Sequence, residues 1–203
     1  MRLEKYLRPS VYARGKSRLE PELARLIELS DRDSLPVDAQ TAYDAVAGSR
    51  GSVRGPFAML LHSPEVAERT AHLGAYLRFG SQLPDAEREL AIITTARAFD
   101  CDYEWAAHAK IAREVGVDEQ TIEIIANRLP TSGLSNEYAK IVEFTRELLV
   151  DHRASDEAFD AVKGRFGETG LIELTATVGY YSMIACVLNA TQIQPPAGSP
   201  KLP

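Results

Sequence analysis

Glu89 and, beyond an eleven-residue gap, Cys101-Asp102-Tyr103-Glu104-Trp105-Ala106-Ala107-His108 form the stretch on which the fold is read. Pro84-Asp85-Ala86-Glu87 opens a helix that runs to about Asp100, and residues 103–116 make the next one, capped by Asp100 or Asp102. Glu104 and His108 then stand at i and i+4, one turn apart on one face. Cys101 caps the same stripe, and a helical hairpin brings Glu89 to the group. A thiol, two carboxylates and an imidazole so placed can pass a proton among themselves.

Working outward, the starts and stops of further helices are legible. Ser63-Pro64 is an N-cap followed by proline at the first helical position, and Gly80 closes that helix. Asp118 caps a short helix ending before Pro130. Ser135 opens 136–152, Ser155 opens 156–166, and Gly167-Glu168-Thr169-Gly170 leads into a last helix reaching about Gln192. Residues 49–56 read as a loop, and the first 35 residues suggest one short helix at 21–31 in otherwise extended chain. No alternating apolar run makes a convincing strand. The expectation is an all-α protein with an N-terminal arm (1–36), one helical domain (37–192) and a disordered C-terminal tail (193–203).

Composition narrows the function. A chain of 203 residues is long enough to bury a core as a single domain. Its net charge of −6 argues against nucleic acid or an anionic membrane as the main partner. Met1–Arg25 is basic and broken by Pro9 and Pro21, without the apolar core of a signal peptide. The apolar stretch Leu171–Ala190 contains Glu173, Thr175, Thr177, Ser182 and Asn189, and reads as a buried or oligomer-interface helix. Two cysteines, Cys101 and Cys186, make no disulfide framework, so a cytoplasmic location is expected.

The order Glu, eleven residues, Cys-x-x-Cys, three residues, His is the pattern of the carboxymuconolactone decarboxylase and alkyl hydroperoxidase D superfamily. Glu89, Cys101 and His108 match it, while Glu104 stands where the redox enzymes have their second cysteine. The variant resembles the decarboxylase-like branch. The resemblance extends through Gly55-Pro56-Phe57, Leu61-His62-Ser63-Pro64-Glu65, Asp151-His152-Arg153, Phe166-Gly167, Gly179-Tyr180-Tyr181 and Leu188-Asn189-Ala190. It implies an alkyl hydroperoxidase D-like helical bundle that assembles as a homo-oligomer, a trimer or hexamer. It also implies catalytic roles for Glu89, Cys101, Glu104 and His108, with no metal.

Each candidate has a plainer reading. Glu104 and His108 could be a surface ion pair worth a few tenths of a kcal/mol. Cys101 on the same stripe, and Tyr103 with Trp105 as walls against water, favour a site. A dithiol peroxidase needs a resolving thiol, with Cα atoms about 4.4–6.8 Å apart. Glu104 cannot serve, and Cys186 reads as a core residue. A shared metal is disfavoured, because Cys101 and His108 are separated by a rise of about 10.5 Å on a continuous helix. His62 is either a loop histidine satisfied by backbone or a pocket residue beside Phe57 and Met59. Tyr180, Tyr181 and Asn189 read as core or interface, and His72 and His152 as surface or packing residues. The resulting expectation is a decarboxylase-like enzyme without a cofactor, in which Glu104 and His108 move protons. Phe57, Met59, His62, Tyr103 and Trp105 are its expected substrate contacts. A peroxide or thiol-disulfide reductase and a non-catalytic ligand-binding oligomer are the alternatives.

Overall fold

A computed structural model describes residues 24–203. Among these residues there is no strand, and eight helices carry the chain. They are α1 (Val37–Arg50), α2 (Pro56–Leu60), α3 (Pro64–Ala75), α4 (Asp85–Ala98), α5 (Asp102–Glu114), α6 (Glu119–Ala126), α7 (Asn136–Val150) and α8 (Asp156–Thr191). A π-helical turn, Tyr76–Gly80, extends α3.

The helix ends follow local chemistry. The side chains of Asp118, Ser135 and Ser155 accept the backbone N–H of Thr121, Tyr138 and Ala158, satisfying donors that have no intrahelical partner. Pro64 sits in the first turn of α3, where its missing N–H costs nothing. The motif helix departs from expectation at its start. Cys101, rather than Asp100 or Asp102, holds the N-cap position of α5. Asp100 is instead the turn residue, with φ 48°, and the Cys101 N–H reaches back to the Ala96 carbonyl at 2.9 Å. That is the left-handed helix stop in which a short polar residue replaces glycine. The Asp100 carboxylate is held there by Arg97 and Arg128.

Helix α4 is the centre of the bundle. Glu87 through Ala96 are all buried, as befits a helix that is apolar or paired on every side and packs against α5, α7 and α8. Two apolar clusters flank it. One joins α1, α2 and α3 to the later part of α8, through Val46, Phe57, Leu61, Tyr181 and Ile184. The other joins α4 through α7 to the earlier part of α8, through Leu90, Trp105, Ile125, Phe144 and Leu174. Helix α8 breaks at Gly167, whose φ of 70° and ψ of −175° separate 156–166 from a long second segment, and that segment serves both clusters, first through Leu171, Leu174 and Val178 and then through Tyr181 and Ile184. The most apolar window of α8 has mean hydropathy 1.6, yet 56% of it is buried within the molecule, in keeping with a core helix.

Both chain ends differ from their sequence reading. The expected helix at 21–31 is absent over 24–31, and its first three residues lie outside the described region. The Arg25 N–H bonds the Thr191 carbonyl at 2.7 Å and that of Leu29 bonds the Ala58 carbonyl at 3.2 Å, so these donors serve tertiary contacts instead of a helix. The expected disordered tail is irregular but lies against the body. Ile193 is buried, and the Leu202 N–H donates to Asp102 Oδ1 at 3.2 Å.

Candidate functional site

The hairpin of α4 and α5, turned at Asp100, sets Glu89 and His108 face to face. His108 Nδ1 lies 2.7 Å from Glu89 Oε2, and its Nε2 lies 3.4 Å from Glu104 Oε2. All three side chains are buried: Glu89 is 1% exposed, Glu104 4% and His108 5%. The short contact implies that Nδ1 carries a proton and donates it to the Glu89 carboxylate. Nε2 is then free to accept a proton from Glu104 or to return one. Desolvation raises the Glu104 carboxyl above the ordinary glutamate value, against the opposing pull of His108 and Arg78. Glu104 and His108 Nε2 thus face each other as a carboxyl and a ring nitrogen between which a proton can pass, with Glu89 fixing the ring.

A third group holds the imidazole from the side. Tyr181 of α8 meets the His108 ring edge-on, with centroids 4.9 Å apart and planes at 82°. Tyr180 donates its hydroxyl to the Thr70 carbonyl at 3.2 Å. Burial pushes the Tyr180 hydroxyl up to about 12 and that of Tyr181 well above its ordinary value, so both remain neutral donors.

Glu104 and His108 open onto a cavity of about 640 Å³. Phe57, Tyr103, Tyr181 and Ile184 supply apolar wall, and Arg50, Arg54 and Arg78 supply charge. Pro196 and Ser199 of the tail complete the rim. Tyr103 reaches the wall because Gly55, with φ 60°, has no side chain: a Cβ there would lie 2.5 Å from the Tyr103 hydroxyl.

Of the expected site residues, Glu104, His108, Phe57 and Tyr103 come together around this space, and Glu89 stands behind His108. Four others are placed elsewhere. Cys101 is fully buried in the apolar cluster behind α5 and does not line the cavity. Burial pushes its thiol up to about 12, which leaves roughly one molecule in 10⁵ as thiolate at pH 7. Trp105 lies one residue past Glu104, about 100° around the helix, and packs against α4 and its neighbours. Met59 is buried in the core below α2. His62 takes the backbone alternative, with its Nε2 2.9 Å from the Ile27 carbonyl. Cys186, expected in the core, is exposed on α8.

Sequence reading missed the three arginines, which come from the end of α1, the following loop and the π-helical turn. It also placed Tyr181 in the core without its contact to His108. Among the described residues, no three Cys, His, Asp or Glu side chains are arranged to hold one metal ion.

The carboxymuconolactone decarboxylase family model matches residues 64–147, the span that contains Glu89, Cys101, Glu104 and His108. No curated protein matches the chain. Among solved structures, an alkylhydroperoxidase AhpD core from Ralstonia eutropha, an uncharacterized peroxidase-related protein, superposes with a TM-score of 0.71 at 19% identity. That comparison covers 88% of this chain and 95% of the other. An uncharacterized peroxidase-related protein from a Silicibacter species gives a TM-score of 0.69 at 19% identity, with the same coverage of 88% and 95%. A protein of unknown function from Agrobacterium tumefaciens gives 0.61 at 17% identity, covering 68% of this chain and 95% of that one. At these identities the likeness establishes the fold.

Proposed function

We propose, from the match of the carboxymuconolactone decarboxylase family model to residues 64–147 and the alkyl hydroperoxidase D-like fold, an enzyme of the decarboxylase type. Its substrate is a small carboxylated lactone or a related activated acid, and its chemistry is acid–base without a cofactor. The observation that carries this reading is the buried relay Glu89–His108–Glu104 opening onto a cavity.

In such a substrate the bond to the carboxyl carbon breaks, CO₂ departs, and the electron pair delocalises onto a neighbouring carbonyl as an enolate. The protein then needs to hold the acid, stabilise the developing oxyanion and return one proton to carbon. Glu104 and His108 Nε2 are the proton-delivering pair. Glu89 keeps the imidazole oriented through its contact with Nδ1. Burial of the three side chains makes each of these interactions stronger than it would be in water.

The solved neighbours' names point to a second reading, peroxide or thiol–disulfide reduction at Cys101. Two observations weigh against it. Glu104 occupies the resolving position, and the Cys101 thiol is buried away from the cavity and held in its protonated form. A non-catalytic binding role is the remaining alternative.

As elsewhere in the superfamily, the protein is proposed to be a homo-oligomer, a trimer or a multiple of it. Ile172 and Met183 of α8 and Phe79 of the π-helical turn are exposed apolar groups suited to such a contact. Light scattering that reports a monomer at micromolar concentration would refute this.

The deciding experiment is a screen of carboxylated lactones and β-keto acids for CO₂ release, with the Glu104→Gln variant alongside. Release by the wild type that the variant loses is the expected result. Release that is equal in both removes the proton pair from the mechanism.

A further inference from the structure

The cavity carries concentrated positive charge in a protein whose net charge is −6. Arginines elsewhere are mostly neutralised: Arg32, Arg69, Arg88, Arg97, Arg113, Arg128 and Arg165 each sit within 4 Å of a carboxylate. Arg78 differs. It is half-buried on the cavity wall, and among the described residues it has neither an ion pair nor a hydrogen bond. Its guanidinium lies only over the neighbouring Phe79 ring, 5.1 Å from the centroid. A half-buried guanidinium with five donors and no acceptor is costly unless something supplies one.

Local structure explains how Arg78 comes to face inward. It is the middle residue of Tyr76–Gly80, where α3 widens from α to π geometry. Such widening shifts side chains around the axis and recurs at functional positions. Arg50 approaches from the end of α1. Its guanidinium lies 4.1 Å from the Phe57 ring centroid, and Nη1 points to the Ala71 carbonyl at 3.4 Å. Gly74 makes room for this arrangement, because a Cβ there would meet both the Tyr180 hydroxyl and Arg50 Nη2. The fold thus uses a glycine to hold one cation in place and a π-helical turn to aim another.

We propose that Arg78, with Arg50 beside the aromatic wall, forms an anion subsite that holds a carboxylate of a small acid whose flat apolar body lies against Phe57, Tyr103 and Tyr181. Arg78 is then a specificity-determining residue that selects the acid over its neutral isostere. A guanidinium suits this task because its planar donors match a carboxylate two at a time. The cavity volume falls within the range of pockets for small ligands. The assignment deepens the decarboxylase reading and rests on it only for the chemical step after binding.

The test titrates the full-length protein by calorimetry with benzoate and with benzamide, which share size and shape but differ in charge. The wild type should bind benzoate at least about tenfold more tightly than benzamide. Arg78→Met should weaken benzoate by about tenfold or more and leave benzamide unchanged. Arg78→Lys should recover part of the loss, since it restores the charge without the fork. Thermal melts of both variants check folding. Equal affinity of the wild type for the two probes, no benzoate binding at all, or an Arg78→Met variant that binds benzoate normally would each overturn the subsite. If the benzoate pattern holds while no carboxylated lactone or β-keto acid releases CO₂, the subsite stands and the decarboxylase reading falls. If CO₂ release depends on Glu104 but neither KM nor benzoate affinity responds to Arg78→Met, the decarboxylase reading stands and the subsite falls.

Discussion

Helix α5 has two faces with opposite fates. On one, Glu104 and His108 meet a cavity, Arg78 and Tyr181. On the other, Cys101 and Trp105 are sealed into apolar clusters. Only Asp102 and Tyr103 separate Cys101 from Glu104 in sequence. Burial acts on both, but with different consequences. It raises the Glu104 carboxyl next to an imidazole that can take its proton, whereas it holds a proton on Cys101 away from the cavity. The same desolvation therefore prepares one group for proton transfer and silences the other.

The largest effects expected from this contrast lie on the open face. Glu104→Gln and His108→Ala should each lower turnover of an active substrate by about 10²–10⁴-fold. The double variant should be little worse than the more damaging single one, because the two act as a unit. Steady-state kinetics checks this, and additive losses would separate the pair. Glu89→Gln should cost less, roughly 10–100-fold, through loss of the hydrogen bond that orients His108. Its pH–rate profile should shift as well, and an unshifted profile would reduce Glu89 to packing.

The sealed face should respond much less. In a Cys186→Ser background, which removes the exposed thiol, Ellman's reagent should leave Cys101 unmodified until the protein unfolds. Cys101→Ser should retain turnover within a few-fold of the wild type, far short of the roughly 10² expected for a proton-transfer group. Dithiol-coupled peroxide turnover should be negligible. Robust peroxide reduction lost in Cys101→Ser would invert the whole contrast.

The smallest expected effect is on stability. The folded-state pKa of Glu104 is raised, so above the ordinary glutamate value of 4.5 the unfolded chain loses this proton while the native state keeps it. The native state then binds more protons, and stability declines as pH rises from about that value through the raised folded one. Below the window the contribution is fully present. Glu104→Gln, which cannot ionise, should flatten this decline in urea titrations across pH. A variant with the wild-type slope would place the titration elsewhere.

Much of this architecture was legible in the chain. Asp118, Ser135 and Ser155 announce helix starts, and Gly167 announces the break in α8, because capping and backbone freedom are local properties. Convergence of Glu89, Glu104 and His108 follows from one short turn between two helices. Trp105 was also calculable, since 100° per residue turns it away from Glu104. The arginines were not legible. Arg50, Arg54 and Arg78 carry no local sign that distinguishes them from paired surface arginines, and only packing of α1 and α3 onto α8 brings them to one wall. His62 illustrates the remaining ambiguity, for its partner is a backbone carbonyl 35 residues away.

The hairpin turned at Asp100 also bears on the order in which the molecule assembles. Glu89 and His108 are 19 residues apart, whereas Tyr180 reaches Thr70 across 110. Loop closure costs more entropy the longer the loop, so contacts within α4 and α5 can form at lower entropic cost than the walls that α1, α3 and α8 later provide. The proton relay is thus built on a local unit, while selectivity for a ligand depends on long-range docking. Sequence drift or insertion in the intervening loops can therefore reshape what the cavity admits while the α4–α5 framework of the relay stays in register.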